Sequence, residues 1–389
     1  MEYAERLLVR GAAQLVTLRG PSGPRRGSAL ASLSIIENGA LLIRRGAIEH
    51  VGSSHRIENL VEARGAREID ASGKVVLPGL IDCHTRLLAS RPAFLGPAPA
   101  AAVTASRLRN LAQDLLVRMA AHGTTTAEVT AVCSPEDSHH AKVLRVLQSL
   151  DGCPVNLVRS VSFLPAGGEE AACQWAASHL APLVARRGFA RFAAAAAGSD
   201  ARRYALFFEA ARTAGLGLRI YTAPETACTA AQAAMEAGAS CLVLQGDPGP
   251  AALHALAQSS VITALTPAVG FQLRPACLPP ARALIDAGGA VALATGFDAA
   301  TAPSYSMPMT ISLATIVLRM TPEEAIAAAT INAAWALGRA AQTGSLEAGK
   351  QADFVIANVR DYRELPYYFG VQNIARVFRR GVEIAPLLD

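Results

Sequence analysis

Between residues 76 and 340 the sequence alternates apolar, strand-like runs with alanine-rich, helix-like runs, and this alternation limits the possible folds most strongly. Eight runs have the residue types of buried strands: 75–82, 124–129, 155–163, 189–195, 216–221, 241–244, 261–265 and 291–294. Most are followed by helix-forming segments, among them 141–150, 202–214, 227–237 and 322–337. Eight strand–helix units in succession predict a (β/α)8 TIM-like barrel.

The two ends of the chain have a different sequence pattern, in which short strand-like runs are separated by turns. Runs at 7–10, 13–18, 40–43, 47–51 and 68–69 precede the barrel segment, and runs near 354–356, 375–378 and 381–383 follow it. Glycine and proline punctuate these runs, as in Gly20-Pro21-Ser22-Gly23-Pro24. We therefore expect residues 1–75 and 341–389 to build one small composite β-sandwich domain, beside a barrel over residues 76–340.

Composition argues against several classes of partner. Apolar residues make up 51% of the 389-residue chain and charged residues 17%, which is typical of a globular protein with a large core. The formal charge of +5 comes from arginine, and basic residues cluster only in short pairs such as Arg25-Arg26. Such pairs are too small for a nucleic-acid footprint, so we expect no nucleic-acid partner.

The sequence also predicts a cytoplasmic protein without a membrane partner. No uninterrupted apolar run reaches the ~18 residues that span a bilayer, and residues 1–6 lack the pattern of a secretory signal. Seven cysteines are scattered without a C-x-x-C pair, a usage typical of reduced thiols in a cytosol.

Several segments, in order and spacing, carry a family resemblance. The most specific are residues 76–84, ending Leu-Pro-Gly-Leu-Ile-Asp-Cys-His, together with 123–129, 292–295, 321–325 and 361–370. In these segments the chain resembles the amidohydrolase superfamily, and within it the imidazolonepropionases. The resemblance implies a barrel that hydrolyses a C–N bond of a cyclic amide with Zn or Fe, and a homodimer.

The same resemblance shows that most metal-ligand positions are substituted. His84 matches a histidine ligand, but Arg86 stands where its partner histidine is expected, and Tyr221 stands at a third histidine position. Residues 241–245 contain no histidine, and Gly296 replaces the expected aspartate. Metal sites in proteins need several converging neutral imidazoles and carboxylates. We therefore expect no metal cofactor.

Candidate site residues lie just after the predicted strands. His84, Tyr221 and Asp298 are candidate catalytic groups. The simpler alternatives are that His84 only forms hydrogen bonds in the core and that Asp298 is solvated in a loop. Candidate ligand-binding residues are Arg86, Arg91, Glu128 and Tyr221. Arg86 could fill the former metal space and pair with Asp82, Glu128 or Asp298, or it could bind a carboxylate with two parallel hydrogen bonds.

Three functional hypotheses follow. The first is a relative that has lost metal-dependent hydrolysis and binds a small anionic molecule or a partner through the old active-site mouth. The second is an active enzyme using His84, Arg86, Tyr221 and Asp298 for metal-independent acid/base chemistry. The third is ordinary C–N hydrolysis by a metal held through unrecognised ligands. Whether the chain is an enzyme stays open, because function depends on the site and the site has changed.

Overall fold

A computed structural model of the chain describes residues 5–88, 104–133, 135, 140–152, 154–163, 169–197, 204–273, 278–299 and 302–385. The strands are β1 Arg6–Val16, β2 Ile35–Arg44, β3 Ala47–Ser53, β4 Arg67–Asp70, β5 Val75–Pro78, β6 Leu80–Asp82, β7 Thr85–Arg86, β8 Thr124–Cys133, β9 Asn156–Phe163, β10 Phe192–Ala197, β11 Gly217–Thr222, β12 Cys241–Leu244, β13 Ile262–Leu265, β14 Val291–Leu293, β15 Phe297–Asp298, β16 Phe354–Ala357, β17 Ile374–Arg379 and β18 Val382–Ala385.

Helices cover the barrel strands and link them. They are α1 Ser54–Glu58, α2 Ala105–Ala121, α3 His140–Ser149, α4 Glu169–Trp175, α5 Ala181–Arg187, α6 Ala205–Thr213, α7 Ala227–Glu236, α8 Pro250–Gln258, α9 Pro267–Leu273, α10 Ala281–Asp286, α11 Met307–Ile316, α12 Pro322–Ala328, α13 Ile331–Ala336 and α14 Glu364–Tyr367. Within the described part of the chain, none of them is long and apolar enough to cross a membrane.

The barrel is an eight-stranded parallel sheet in the order β14-β13-β12-β11-β10-β9-β8-β6. The first and last strands close it through their extensions, because β7 pairs with β15 in parallel register, Thr85 with Phe297 and Arg86 with Asp298. Across the same seam, the Cys83 thiol donates to the Leu293 carbonyl over 3.3 Å. The predicted TIM-like barrel with an additional domain is confirmed.

Strands from both ends of the chain form the second sheet, in the order β18-β17-β16-β5-β1-β2-β3, with β4 also paired to β1. Its apolar face encloses a core separate from that of the barrel, in which the rings of Phe354 and Phe378 stack at 4.4 Å. The runs 7–10 and 13–18 are one strand, β1, bent by a bulge at Gly11, whose φ is +74°. The proposed boundaries at residues 75 and 341 stay a prediction.

Two elements differ from the sequence prediction. The run 75–82 is divided between the two sheets, with β5 in the small domain and β6 in the barrel. The division falls at Gly79, where an added Cβ would lie 2.2 Å from the Thr125 hydroxyl, so only glycine lets the strands approach this closely. The single helix predicted over 322–337 is two, α12 and α13, interrupted at Thr330 with φ −131° and ψ −93°.

Candidate functional site

Four predicted residues meet inside the barrel mouth, and we call His84, Arg86, Glu128 and Tyr221 the mouth site. His84 and Arg86 follow β6, Glu128 lies in β8, and Tyr221 lies near the end of β11. Glu128 is fully buried, His84 is 7% exposed and Tyr221 is 8% exposed. Side chains two residues apart in a strand share a face, which brings both His84 and Arg86 toward the barrel axis.

Asp82 forms the floor beneath these residues. Its carboxylate accepts hydrogen bonds from the Thr295 amide over 3.0 Å, from the Thr295 hydroxyl over 2.5 Å and from the His84 amide over 3.3 Å. Burial raises the pKa of Asp82 to about 7, although these bonds oppose the shift. Among the described residues, Asp82 makes these contacts and forms no ion pair with Arg86, which was one of the pairings considered from the sequence.

Glu128 lies beside the His84 imidazole. One carboxylate oxygen of Glu128 lies 3.6 Å from His84 Nδ1, and the carboxylate also accepts from the Thr85 amide over 3.2 Å and the Thr130 hydroxyl over 2.7 Å. Burial would raise the pKa of Glu128, but His84 and the Arg219 charge hold it below its usual value. Burial lowers the pKa of His84 despite Glu128, so the imidazole is neutral at pH 7.

Tyr221 supplies an aromatic face to Arg86. The Arg86 guanidinium carbon lies 4.8 Å from the centre of the Tyr221 ring, within the range of a cation–π contact. The Tyr221 hydroxyl hydrogen-bonds to Ser162, and its ring lies 5.7 Å from that of His84. Burial raises the pKa of Tyr221, so the phenol stays protonated near neutral pH. Arg86 Nε is buried, and the described residues offer it no hydrogen-bond partner.

Arg219, two residues before Tyr221, was not singled out from the sequence although it is 1% exposed. It donates to the Ala336 carbonyl over 3.0 Å and to the Cys83 carbonyl, and its charge lowers the pKa of Glu128. The period of two in a strand could have found it, because Arg219 and Tyr221 point to the same side of β11. The sequence also did not indicate Thr295, which donates two hydrogen bonds to Asp82.

The remaining candidates lie at the edge of the mouth site or beyond the described chain. Asp298 is 9% exposed, and its backbone is directly opposite Arg86 in the β7–β15 pairing. Arg91 lies outside the described residues. The structure therefore groups five of the six candidate residues around one opening, His84, Arg86, Glu128, Tyr221 and Asp298.

The donors among the described residues do not fit a Zn or Fe ion. In the part of the chain that the structure describes, no three His, Cys, Asp or Glu side chains converge as metal ligands. Gly296 carries no carboxylate and has a left-handed φ of +64°. A side chain at this position would also collide with Val269, because an added Cβ would lie 2.6 Å from that side chain. The Arg86 cation beside His84 further opposes a divalent ion.

Comparison with known sequences places the chain among amidohydrolases. A model of the amidohydrolase family matches residues 273–384. The imidazolonepropionase of Chloroflexus aggregans is 34% identical over 96% of this chain and 97% of its own length. That of Geobacillus kaustophilus is also 34% identical, over 96% of this chain and 97% of its own length.

Solved structures agree on the fold. A triazine hydrolase from Arthrobacter aurescens has a TM-score of 0.79 at 18% identity, covering 98% of this chain and 95% of that one. Atrazine chlorohydrolase from the same organism, complexed with zinc, has a TM-score of 0.76 at 18% identity, covering 98% and 97%. At this identity the likeness concerns the fold alone.

Proposed function

The chain belongs to the imidazolonepropionase-like amidohydrolases, and from that premise we propose that its barrel mouth binds a small organic carboxylate in place of a catalytic metal. Metal-dependent C–N hydrolysis is lost. The observation that carries the proposal is the Arg86 guanidinium, held 4.8 Å above the Tyr221 ring with a buried Nε that has no partner among the described residues.

The charges of the site favour an anion. Glu128 has the buried Arg219 as its charged partner. His84 and Tyr221 are uncharged at pH 7, since burial lowers the pKa of the first and raises that of the second. A guanidinium that retains free donors binds carboxylates with two parallel hydrogen bonds, and the aromatic face fixes its plane.

Binding measurements test the anion site. Propionate, glutarate and phosphate are screened by thermal shift, and the strongest is titrated by calorimetry against the wild type and Arg86→Met. Arg86→Met should weaken binding by about 1.5–3 kcal/mol, because charge-assisted hydrogen bonds from a half-buried guanidinium are lost. The matched control is Arg118→Met, an exposed arginine of α2 that should change nothing.

A second variant should change the anion affinity in the opposite direction. Asp298→Asn removes a carboxylate whose backbone is opposite Arg86 and should strengthen anion binding. Unchanged affinity in Arg86→Met, or weaker affinity in Asp298→Asn, would contradict an anion site centred on Arg86.

Metal content tests the loss of hydrolysis. Protein purified without chelator should hold far less than one Zn or Fe per chain and should not open the ring of imidazolone propionate. About one equivalent of metal that disappears in His84→Ala would overturn the proposal.

One observation favours a second candidate, metal-independent acid/base catalysis. His84 Nδ1 lies 3.6 Å from Glu128, and a hydrogen bond between them on substrate binding would give the pairing used in proton-transfer sites. Under this alternative, turnover of a cyclic amide persists with excess chelator and disappears in His84→Gln. Absence of chelator-resistant turnover excludes it.

A further inference from the structure

A second cavity lies on the opposite face of the barrel, and we call it the rear cavity. Its volume is about 270 Å³, and it is lined by Gly20, Pro21, Arg25, Trp335, Glu347 and Lys350, among others. The segment that carries Arg25 is attached where strand β14 begins, since Gly27 donates to the Gly289 carbonyl and Arg26 bridges Ala290. The rear cavity is therefore at the amino ends of the strands, whereas the mouth site is at their carboxyl ends.

Arg25 is a buried cation with unused donors. It is only 5% exposed, and its one side-chain hydrogen bond to the described residues is from an Nη to the Leu18 carbonyl over 2.7 Å. Arg25 Nε is buried without a partner, and no carboxylate of the described residues lies within ion-pair distance of the guanidinium. Burying a guanidinium is costly unless its charge and donors are matched.

The surrounding charges leave the rear cavity positive. Glu347 pairs with Lys350, whose ammonium lies 3.3 Å from a carboxylate oxygen, and the same oxygen accepts from the Ser345 hydroxyl over 2.6 Å. Glu347 is therefore shared between Lys350 and the more distant Arg25. One positive charge remains uncompensated among these three groups.

Main-chain contacts fix Arg25 in this place. Its amide donates to Asn332 Oδ1 over 2.7 Å, and Asn332 Nδ2 donates back to the Arg25 carbonyl over 2.8 Å. Gly20 lies directly on the guanidinium, where an added Cβ would be 2.4 Å from an Nη. The Gly-Pro segment thus covers the cation closely while the apolar side chains of Leu18, Pro21, Ile331 and Trp335 line the space beside it.

We propose that the rear cavity binds a small organic anion, with its carboxylate on Arg25 and its apolar body against Trp335. A cationic donor group at one end and an aromatic wall at the other is the arrangement that selects an amphiphilic carboxylate over a bare inorganic ion. This site is independent of Arg86 and of the function proposed for the mouth site.

Trp335 provides the readout. The chain has two tryptophans, so Trp175→Phe leaves Trp335 as the only one. Benzoate is titrated into this background at constant ionic strength, with chloride as the reference anion. We expect a saturable change in Trp335 emission, weakened about tenfold or more by Arg25→Met, because the charged hydrogen bonds are lost while the Asn332 contacts to the main chain remain.

Controls separate the site from general effects. Arg26→Met removes the neighbouring arginine, which donates to the Ser259 carbonyl outside the cavity, and should leave benzoate binding unchanged, as should Arg86→Met. Ala341→Phe fills the cavity entrance with Arg25 intact and should abolish binding even if Arg25→Met fails to fold.

Three results would overturn the proposal. They are a non-saturable response to benzoate, equal benzoate affinity in Ala341→Phe, or phosphate binding as tightly as benzoate. The last would show an inorganic anion site without a role for the apolar wall.

Discussion

The buried Arg219 and the half-buried Arg86 have different surroundings. Arg219 is enclosed by main-chain carbonyls and is electrostatically coupled to Glu128, whereas Arg86 rests on an aromatic ring at the opening. The first arrangement is structural and the second leaves donors for a ligand. Both residues are arginines, so their different positions in the barrel decide between these roles.

Removing Arg219 should therefore affect stability. Arg219→Met is expected to lower the free energy of unfolding by about 3–5 kcal/mol, because Glu128 stays buried without its compensating cation. Urea denaturation measures the loss. The double variant Arg219→Met/Glu128→Gln should recover part of it, and a double variant as unstable as the sum of the two single variants would contradict the coupling.

Asp353 should make stability depend on pH. Burial raises the pKa of this carboxyl to about 6, although the Arg380 amide donates to it over 2.8 Å. The folded state thus binds a proton more tightly than the unfolded state, so stability falls as pH rises from about 4 to 6. Asn at this position mimics the protonated, neutral carboxyl. The free energy of unfolding of Asp353→Asn minus that of wild type should therefore be roughly 2–3 kcal/mol larger at pH 7 than at pH 4. An equal difference at both pH values would contradict this.

At the scale of elements, helix α12 is fixed by a reciprocal cap. Glu324 donates its amide to the Thr321 hydroxyl over 3.3 Å and accepts from the Thr321 amide over 2.8 Å. The buried Glu324 carboxylate also takes hydrogen bonds from Arg282 in α10, at 2.9 Å for the shortest. The cap thereby joins two helices beside the last barrel strand.

Thr321→Ala should lower the free energy of unfolding by about 1 kcal/mol, since the Glu324 amide loses its acceptor. Thermal or urea denaturation measures the change. The control is Ser178→Ala, which removes an exposed hydroxyl that donates to the Gln174 carbonyl, and it should stay within ~0.5 kcal/mol of wild type. A Thr321→Ala variant as stable as this control would contradict the role of the cap.

Sequence patterns predicted the barrel because strand and helix periods are local, and the run 241–244 coincides with β12. They missed the division of 75–82 and of 322–337, because the contacts that force these breaks, such as Gly79 against Thr125, come from distant segments. They indicated His84, Arg86 and Tyr221 one by one. The closed barrel brings Arg86 onto Tyr221 and places Arg219 beneath them. No local sequence pattern contains this information.

At the scale of the whole molecule, the barrel is tightly packed around position 296, where the family resemblance predicts a metal-binding aspartate. Gly296 adopts a left-handed conformation, and a side chain there would meet Val269 at 2.6 Å and Thr266 at 3.0 Å. A non-glycine residue in this conformation is also strained. A ligand side chain at position 296 would therefore collide with residues packed beside β13 and β14.

Restoring the ligands should consequently fail. Arg86→His alone should not restore hydrolysis. The triple variant Arg86→His/Tyr221→His/Gly296→Asp should hold well below one Zn per chain and unfold at a lower temperature, because position 296 brings about 1–3 kcal/mol of backbone strain together with the Val269 clash. Adding Val269→Ala should recover part of that stability, and Gly296→Ala alone should show the strain without any new ligand. Metal analysis and thermal denaturation decide the matter: one tightly bound Zn per chain in the triple variant, at unchanged stability, would mean that the barrel can still accommodate a metal.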